Sequence, residues 1–335
     1  MSVARHAWPR RGGLVALEIC AVAALYYGSA QLGLLEQLVR GQVTPVWPPS
    51  GIALAGLLLL GPRVWPGIAL GAFLTNVSLG PSVLAVLAIT AGNTLAPVCS
   101  YALLRRVGFH NGLNRLRDAL ALIFLGAFTG MLVSSTTGTG TLVLTGALDA
   151  GDFWPTWSVW WTGDATGVLT ITPVLLLLRS ARWPRGVPPY RWAEGILLLS
   201  ATVCVGFLET SNTPLLFLCF PLLIWAAFRF HLAGAAPCAL AVSTFAIIAA
   251  TRKTGPFAGH DLLTNMITLQ AFNGSASLTA LLLGVAVSER SRAAQEIASA
   301  VGQLATMATR ITAEGRPPTL PAREGERTAR DTAPK

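Results

Sequence analysis

Charge is what this chain has least of. Across 335 residues, Asp, Glu, Lys and Arg together account for 12%, against 53% hydrophobic residues, and the mean hydropathy is +0.59. An ordinary soluble domain carries about 25% charged residues, so that class is excluded. Cysteine is scarce too. Cys20, Cys99, Cys204, Cys219 and Cys238 all lie within apolar runs and form no CxxC or His/Cys cluster, which argues against a disulfide framework and a metal site. The histidines, His6, His110, His231 and His260, are terminal or in connecting segments. Nothing places Ser50 within reach of His260, so no nucleophile–base pair is read and no catalytic residue is assigned. No cofactor motif is found either. Acidic residues number 15 against 24 Lys and Arg, giving a net charge of +9 and a pI of about 10. The arginines are scattered over connecting segments and the tail, as an orientation bias in a membrane requires and a nucleic-acid-reading surface would not.

What is present is a succession of apolar runs, each near the ~20 residues that cross ~30 Å of hydrocarbon as helix. Ten are read: 14–35, 43–61, 64–80, 82–104, 118–147, 155–178, 193–209, 214–230, 232–250 and 266–288. The first holds Glu18 and Gln31 and no small-residue cleavage site follows it, so it is a span and not a removed signal peptide. If the two short runs around "LGPRVWPG" form one re-entrant hairpin, the number is eight. Basic residues keep to the cytoplasmic side of a membrane. Arg5, Arg10 and Arg11 therefore put the N-terminus inside, and alternation then places Arg105, Arg106, Arg115, Arg117, Arg179, Arg191, Arg229, Arg290 and Arg292 inside as well. Residues 147–153 and 209–213, which lack Lys and Arg, fall outside; Arg40, Arg252 and Lys253 break the pattern.

The expected organisation is a cytoplasmic N-terminus (1–11), a membrane-embedded domain (12–288), a cytoplasmic linker helix (289–314) and a disordered tail (315–335). In the linker, Ala294, Ile297, Val301, Leu304, Ala308 and Ile311 recur at spacings of three and four, the seam of a short two-stranded coiled coil. A homodimer paired through Val301 and Leu304 is one reading. A helix that merely continues the last span is the other. Beyond Gly315 the prolines, mixed charge and lack of aromatic residues indicate disorder.

The polar landmarks, in order, are "WPPSGIALAGLLLLG" (47–61), "PGIALGAFLTN" (66–76), "GNTLAPVCSYALLRR" (92–106), "WWTGDATGVLTITPVLLL" (160–177), "FPLLIWAAFRF" (220–230), "GPF" (255–257), "LQAF" (269–272) and "SER" (288–290). Together they resemble the type 1 membrane-associated sensor domain, over roughly residues 12–292. The resemblance implies an all-helical bundle in a bacterial inner membrane that acts as a sensory input to a histidine kinase or to cyclic di-GMP enzymes. No GGDEF-like, EAL-like or phosphoacceptor motif follows the linker, so the output is expected in trans or lost by truncation. "SSTTGTG" (134–140) and "RFH" (229–231) depart slightly from the family pattern.

Asp164 is the residue that most needs an explanation, because an aspartate near the bilayer centre costs ~2.5–3.5 kcal/mol even on the lenient insertion scale. By the expected topology it lies roughly 14 Å below the outer surface at ~1.5 Å per residue. Asn93, Asn76, Thr137, Gln270, Trp47, Ser50 and Trp161 share that outer half, and they form the candidate ligand site with it. Gly163, Gly167 and Pro173 suggest a helix interrupted at Asp164, with the carboxylate capping the inner half. A structural cap, a ligand pocket and a proton relay all remain open. Trp47 and the prolines after it also fit a plain interfacial helix start, and the GxxxG patterns at 67–71 and 126–130 fit close helix packing. Arg229 is a snorkelling arginine or a relay to the cytoplasm. A transporter or channel is the second functional reading, and a structural partner of another membrane protein the third.

Overall fold

The computed structural model describes residues 7–35, 46–80, 82–180, 188–211 and 215–314. The expected disordered tail, 315–335, lies outside the described residues. Every regular element among the described residues is helical: α1 (Ala7–Leu35), α2 (Pro48–Leu60), α3 (Trp65–Asn76), α4 (Val83–Arg106), α5 (Leu116–Ala121), α6 (Leu132–Leu144), α7 (Phe153–Ser180), α8 (Pro189–Glu209), α9 (Cys219–Arg252) and α10 (Leu262–Glu314). A π-helical stretch, Leu122–Thr129, joins α5 to α6. Among the described residues, seven helical stretches are long and apolar enough to cross a membrane. The chain forms two compact units, Met1–Glu289 and Arg290–Lys335.

Within the first unit, one core is shared by α2, α4, the π stretch, α7 and α10, a second by α8, α9 and α10, and a third by α1, α2 and α3. Large apolar side chains such as Leu17, Leu84, Phe124, Ile196 and Phe207 remain more than half exposed. That is the surface of a protein whose solvent is lipid.

Small residues set the closest approaches. A Cβ on Gly71 would stand 2.8 Å from Tyr26 Cβ, so "GIALG" does let α3 lie against α1. Ser100 on α4 donates to the Gly126 carbonyl at 2.7 Å, and the Gly130 N–H reaches back five residues to Leu125 O at 3.1 Å. A side chain that claims a carbonyl from the helical ladder is a recognised cause of such a bulge. The π stretch is thus written by the facing helix.

α9 turns back on itself at His231, a non-glycine residue with φ 57° and ψ −150°. Its first leg runs against α8: Arg229 pairs with Glu194 near the start of α8, and Cys219 lies within electrostatic reach of Glu209 at its end. The second leg runs with α8, since Phe230 packs beside Gly195, Cys238 meets Thr202 at 3.4 Å, and Gly206 abuts Phe245. The sequence signal of two runs meeting at "RFH" is therefore a helical hairpin.

The interrupted element is α2. Its C-terminal end is held by Arg105 and Asn111, which donate to Leu58 O at 3.0 and 2.7 Å, while its N-terminal end stops against the middle of α7. A Cβ on Gly167 would lie 2.7 Å from the Trp47 carbonyl carbon, and one on Gly51 would lie 2.7 Å from Ile171 Cβ. Overpacking a core costs ~1–3 kcal/mol, and here the obstacle is backbone that cannot rotate away. Gly167→Leu is therefore expected to abolish monodisperse folded protein on size exclusion, whereas Gly274→Ala, with open space around it, should elute and melt as the parent does.

Candidate functional site

The site is built on the unwound start of α2. Pro48 and Pro49 open the helix with preset φ angles and bring no N–H groups to be satisfied, which removes two of the usual unpaired donors. The extended backbone before them is buried in protein: the Trp47 N–H donates to Gly163 O of α7 at 3.0 Å, and the Trp47 carbonyl accepts from Ser50 N–H at 3.2 Å. Non-helical backbone at membrane depth is tolerated only when paired in this way. One turn further on, Thr172 of α7 donates to Gly51 O at 3.0 Å.

Asp164 sits at this start. It is 1% exposed, and its Oδ1 accepts from the Ser50 hydroxyl at 2.5 Å. Its Oδ2 has no hydrogen-bond partner among the described residues, although the Ser134 hydroxyl and the Trp160 indole lie against the carboxylate. No ion pair to Asp164 is found among the described residues. The Ser134 hydroxyl donates to Asn93 Oδ1 at 2.8 Å, and Tyr26, buried on α1, stands beside Trp47, Asn93 and Asp164. Five helices, α1, α2, α4, α6 and α7, thus meet at one buried polar cluster. The N-terminus of α2 also presents its positive dipole end here, a contribution of ~0.3–2 kcal/mol toward a carboxylate.

This corrects the sequence reading of Asp164. α7 is continuous from Phe153 to Ser180 with Pro173 inside it, so Asp164 does not cap a broken half of its own helix. The break belongs to the neighbouring helix, and Asp164 serves it from the side.

Of the candidate site residues, the structure brings together Asp164, Ser50, Trp47 and Asn93. Thr137 adjoins them on α6, where a Cβ on Gly92 would stand 2.9 Å from Thr137 Cβ, but its hydroxyl donates to Val133 O in its own helix. Asn76 likewise turns to Ala72 O at 2.8 Å. Trp161 donates to Phe128 O at 2.8 Å and packs on the Phe128 and Trp157 rings. Gln270 donates to Val159 O at 3.2 Å, tying α10 to α7. These last three make their polar bonds elsewhere. Tyr26, Ser134 and Trp160 were missed. Each lies in a stretch with a readable signal: "YYG" in an apolar span, the hydroxyl run "SSTTGTG", and "WWTGD" itself.

Arg229 is no free snorkelling side chain. Its Nη2 donates to Glu194 Oε2 at 2.7 Å and its Nε to Oε1, and the Trp225 indole donates to the same carboxylate at 3.3 Å. No group of three or more His, Cys, Asp or Glu suited to a metal occurs among the described residues.

A helical bundle with a lipid-compatible apolar surface, a buried polar cluster shared by five helices and seven apolar helical stretches among the described residues long enough to span defines a multi-pass membrane protein. The chain belongs to the MASE1 family, whose match spans residues 17–291. It is therefore a membrane sensory domain of the inner membrane, and no catalytic family is matched within it. Among curated proteins it is similar to the probable diguanylate cyclase DgcE of Escherichia coli (strain K12), with 28% identity over 195 residues, 56% of this chain and 17% of the relative. The chain thus spans under one fifth of that relative's length. No solved structure matches.

The Ser50–Asp164 bond is testable by a double-mutant cycle. A hydrogen bond to a charged group contributes ~1.5–3 kcal/mol, so Ser50→Ala alone should lower thermal stability in detergent by about that much. In the Asp164→Leu background the same change should be nearly silent. Additive losses would show that the two side chains are not coupled.

Proposed function

We propose that this chain reads a periplasmic or membrane-dissolved cue at the cluster around Asp164 and relays the response through α10 to a cytoplasmic diguanylate cyclase or histidine kinase. The observation that carries the relay is the continuity of α10 from Leu262 to Glu314. Near its start Gln270 is bonded to α7, close in sequence to Asp164. At the end of the embedded unit the Glu289 carboxylate accepts from the Leu116 N–H, the first residue of α5, at 2.9 Å. A displacement of α7 or α5 thus has a polar handle on the same rod.

In this reading residues 12–288 are the embedded sensor, 289–314 the cytoplasmic linker, and both termini are cytoplasmic with 147–153 outside. The passages number ten. α2 and α3 are only 13 and 12 residues long, short of the ~20 that span the hydrocarbon, and counting them as one re-entrant pair gives eight with the termini on the same side. Within the second unit Ile297, Val301, Leu304 and Met307 are each 59–66% exposed, an apolar stripe that supports a parallel homodimer. The interrupted start of α2 at mid-depth is the feature that favours the second reading, small-molecule transport; substrate flux in proteoliposomes distinguishes it.

Two measurements test the relay. Grafted in place of the matching segment of DgcE, the chain should support cyclic di-GMP production, and Asp164→Asn should change that output several-fold at unchanged protein level, because asparagine still accepts from Ser50 but carries no charge. Identical output from both would reject a sensing role for the carboxylate. In a background without native cysteines, Cys at Val301 and at Leu304 should crosslink between subunits several-fold more than Cys at Ser299; equal yields would argue for an unpaired helix.

A further inference from the structure

A groove of about 540 Å³ lies between α8 and the second leg of α9, away from the Asp164 cluster. Its walls are apolar, with Leu198, Leu199, Phe230, Pro237 and Ala241 among them, and Arg191 and Trp192 line it at the start of α8. It is no accident of loose packing. Gly195 and Gly234 withhold side chains from it, and the strained turn at His231 places Phe230 at one end and sends the chain back up the other wall. Left-handed backbone at a non-glycine residue persists only where the surroundings hold it, and such positions cluster at ligand clamps.

Length and charge select the occupant. From Arg191 to Thr202 the groove follows α8 for roughly 16 Å at ~1.5 Å per residue, close to the ~15 Å that is half of a ~30 Å hydrocarbon core. One acyl chain of one leaflet therefore has a matching channel. At the mouth, Arg229 is already held in a fork by Glu194, whereas Arg191 is exposed, donates to the Arg229 carbonyl at 3.3 Å and feels the same Glu194 carboxylate without a fork to it among the described residues. Among the described residues two guanidinium groups face one carboxylate there, so one positive charge is left over. Tyr190 and Trp192 are 62% and 47% exposed, as aromatic side chains at a membrane interface are. Basic pockets between membrane helices recognise anionic lipid headgroups.

We propose that this groove binds an anionic phospholipid, with its phosphate on Arg191 and one acyl chain along Leu198 and Ala241. The site takes a lipid and not a soluble phosphate, because the charge sits at the end of an apolar channel.

Native mass spectrometry of the purified chain tests this with added phosphatidylglycerol, phosphatidylcholine of the same chains, and glycerol phosphate. Phosphatidylglycerol should bind at least tenfold tighter than phosphatidylcholine. Arg191→Gln should erase that preference without weakening phosphatidylcholine. Gly195→Phe, which fills the groove, should weaken both lipids, and Ala241→Phe provides the same reading from the other wall should the first variant fail to fold. Glycerol phosphate should not compete. Equal affinity for the two lipids, an unchanged preference in Arg191→Gln, undiminished binding in the folded groove-filling variant, or displacement by glycerol phosphate would each overturn the proposal.

Discussion

Everything in the embedded unit depends on one requirement of the hydrocarbon solvent: a polar group that enters it must find its partner inside the protein. The helix α2 violates the simplest way of meeting that requirement by beginning inside the bundle, against the middle of α7, and the bundle is arranged around repairing the violation. Gly163 supplies a carbonyl to Trp47, Gly167 supplies the room, Thr172 holds the first turn, and Asp164 accepts from Ser50. These groups fall in one short segment of α7. The segment "GDATGVLTIT" is thus a template for a second helix more than a feature of its own.

Much of this was readable from the residues. The apolar runs gave nearly every helix, even the two runs that meet at "RFH" and prove to be the legs of α9, because lipid imposes a length and composition that vary little. The landmark residues Asp164, Ser50, Trp47 and Asn93 were also readable, since a polar side chain in an apolar run stands out by contrast. What the residues could not convey was pairing across helices. Gly163 and Gly167 looked like a break in α7 because glycine lowers helix propensity; Gly167 instead admits another backbone and Gly163 lends it a carbonyl, and only the position of Trp47 reveals it. Trp161 and Gln270 share the depth of the cluster but point around the helix to Phe128 and Val159. Depth is set by sequence, whereas azimuth depends on which neighbour is present.

The same contrast explains Arg229. Alone it reads as an interfacial arginine, and in the fold it is one half of a forked pair with Glu194, exposed enough for the pair to contribute little stability. Its value is positional: it fastens the turn of α9 to the start of α8, and so fixes the mouth between them.

The π-helical stretch carries a consequence of a mechanical kind. Such a stretch stores one surplus residue relative to an α-helix of the same rise, and expelling the surplus would rotate everything after Thr129 by about 100° about the helix axis. Ser134 would then swing off Asn93, and the contact of Gly92 with Thr137 would be broken. The hydroxyl of Ser100, seated on the Gly126 carbonyl, is therefore a detent that sets the rotational phase of α6, and through it the side of the polar cluster that α6 presents.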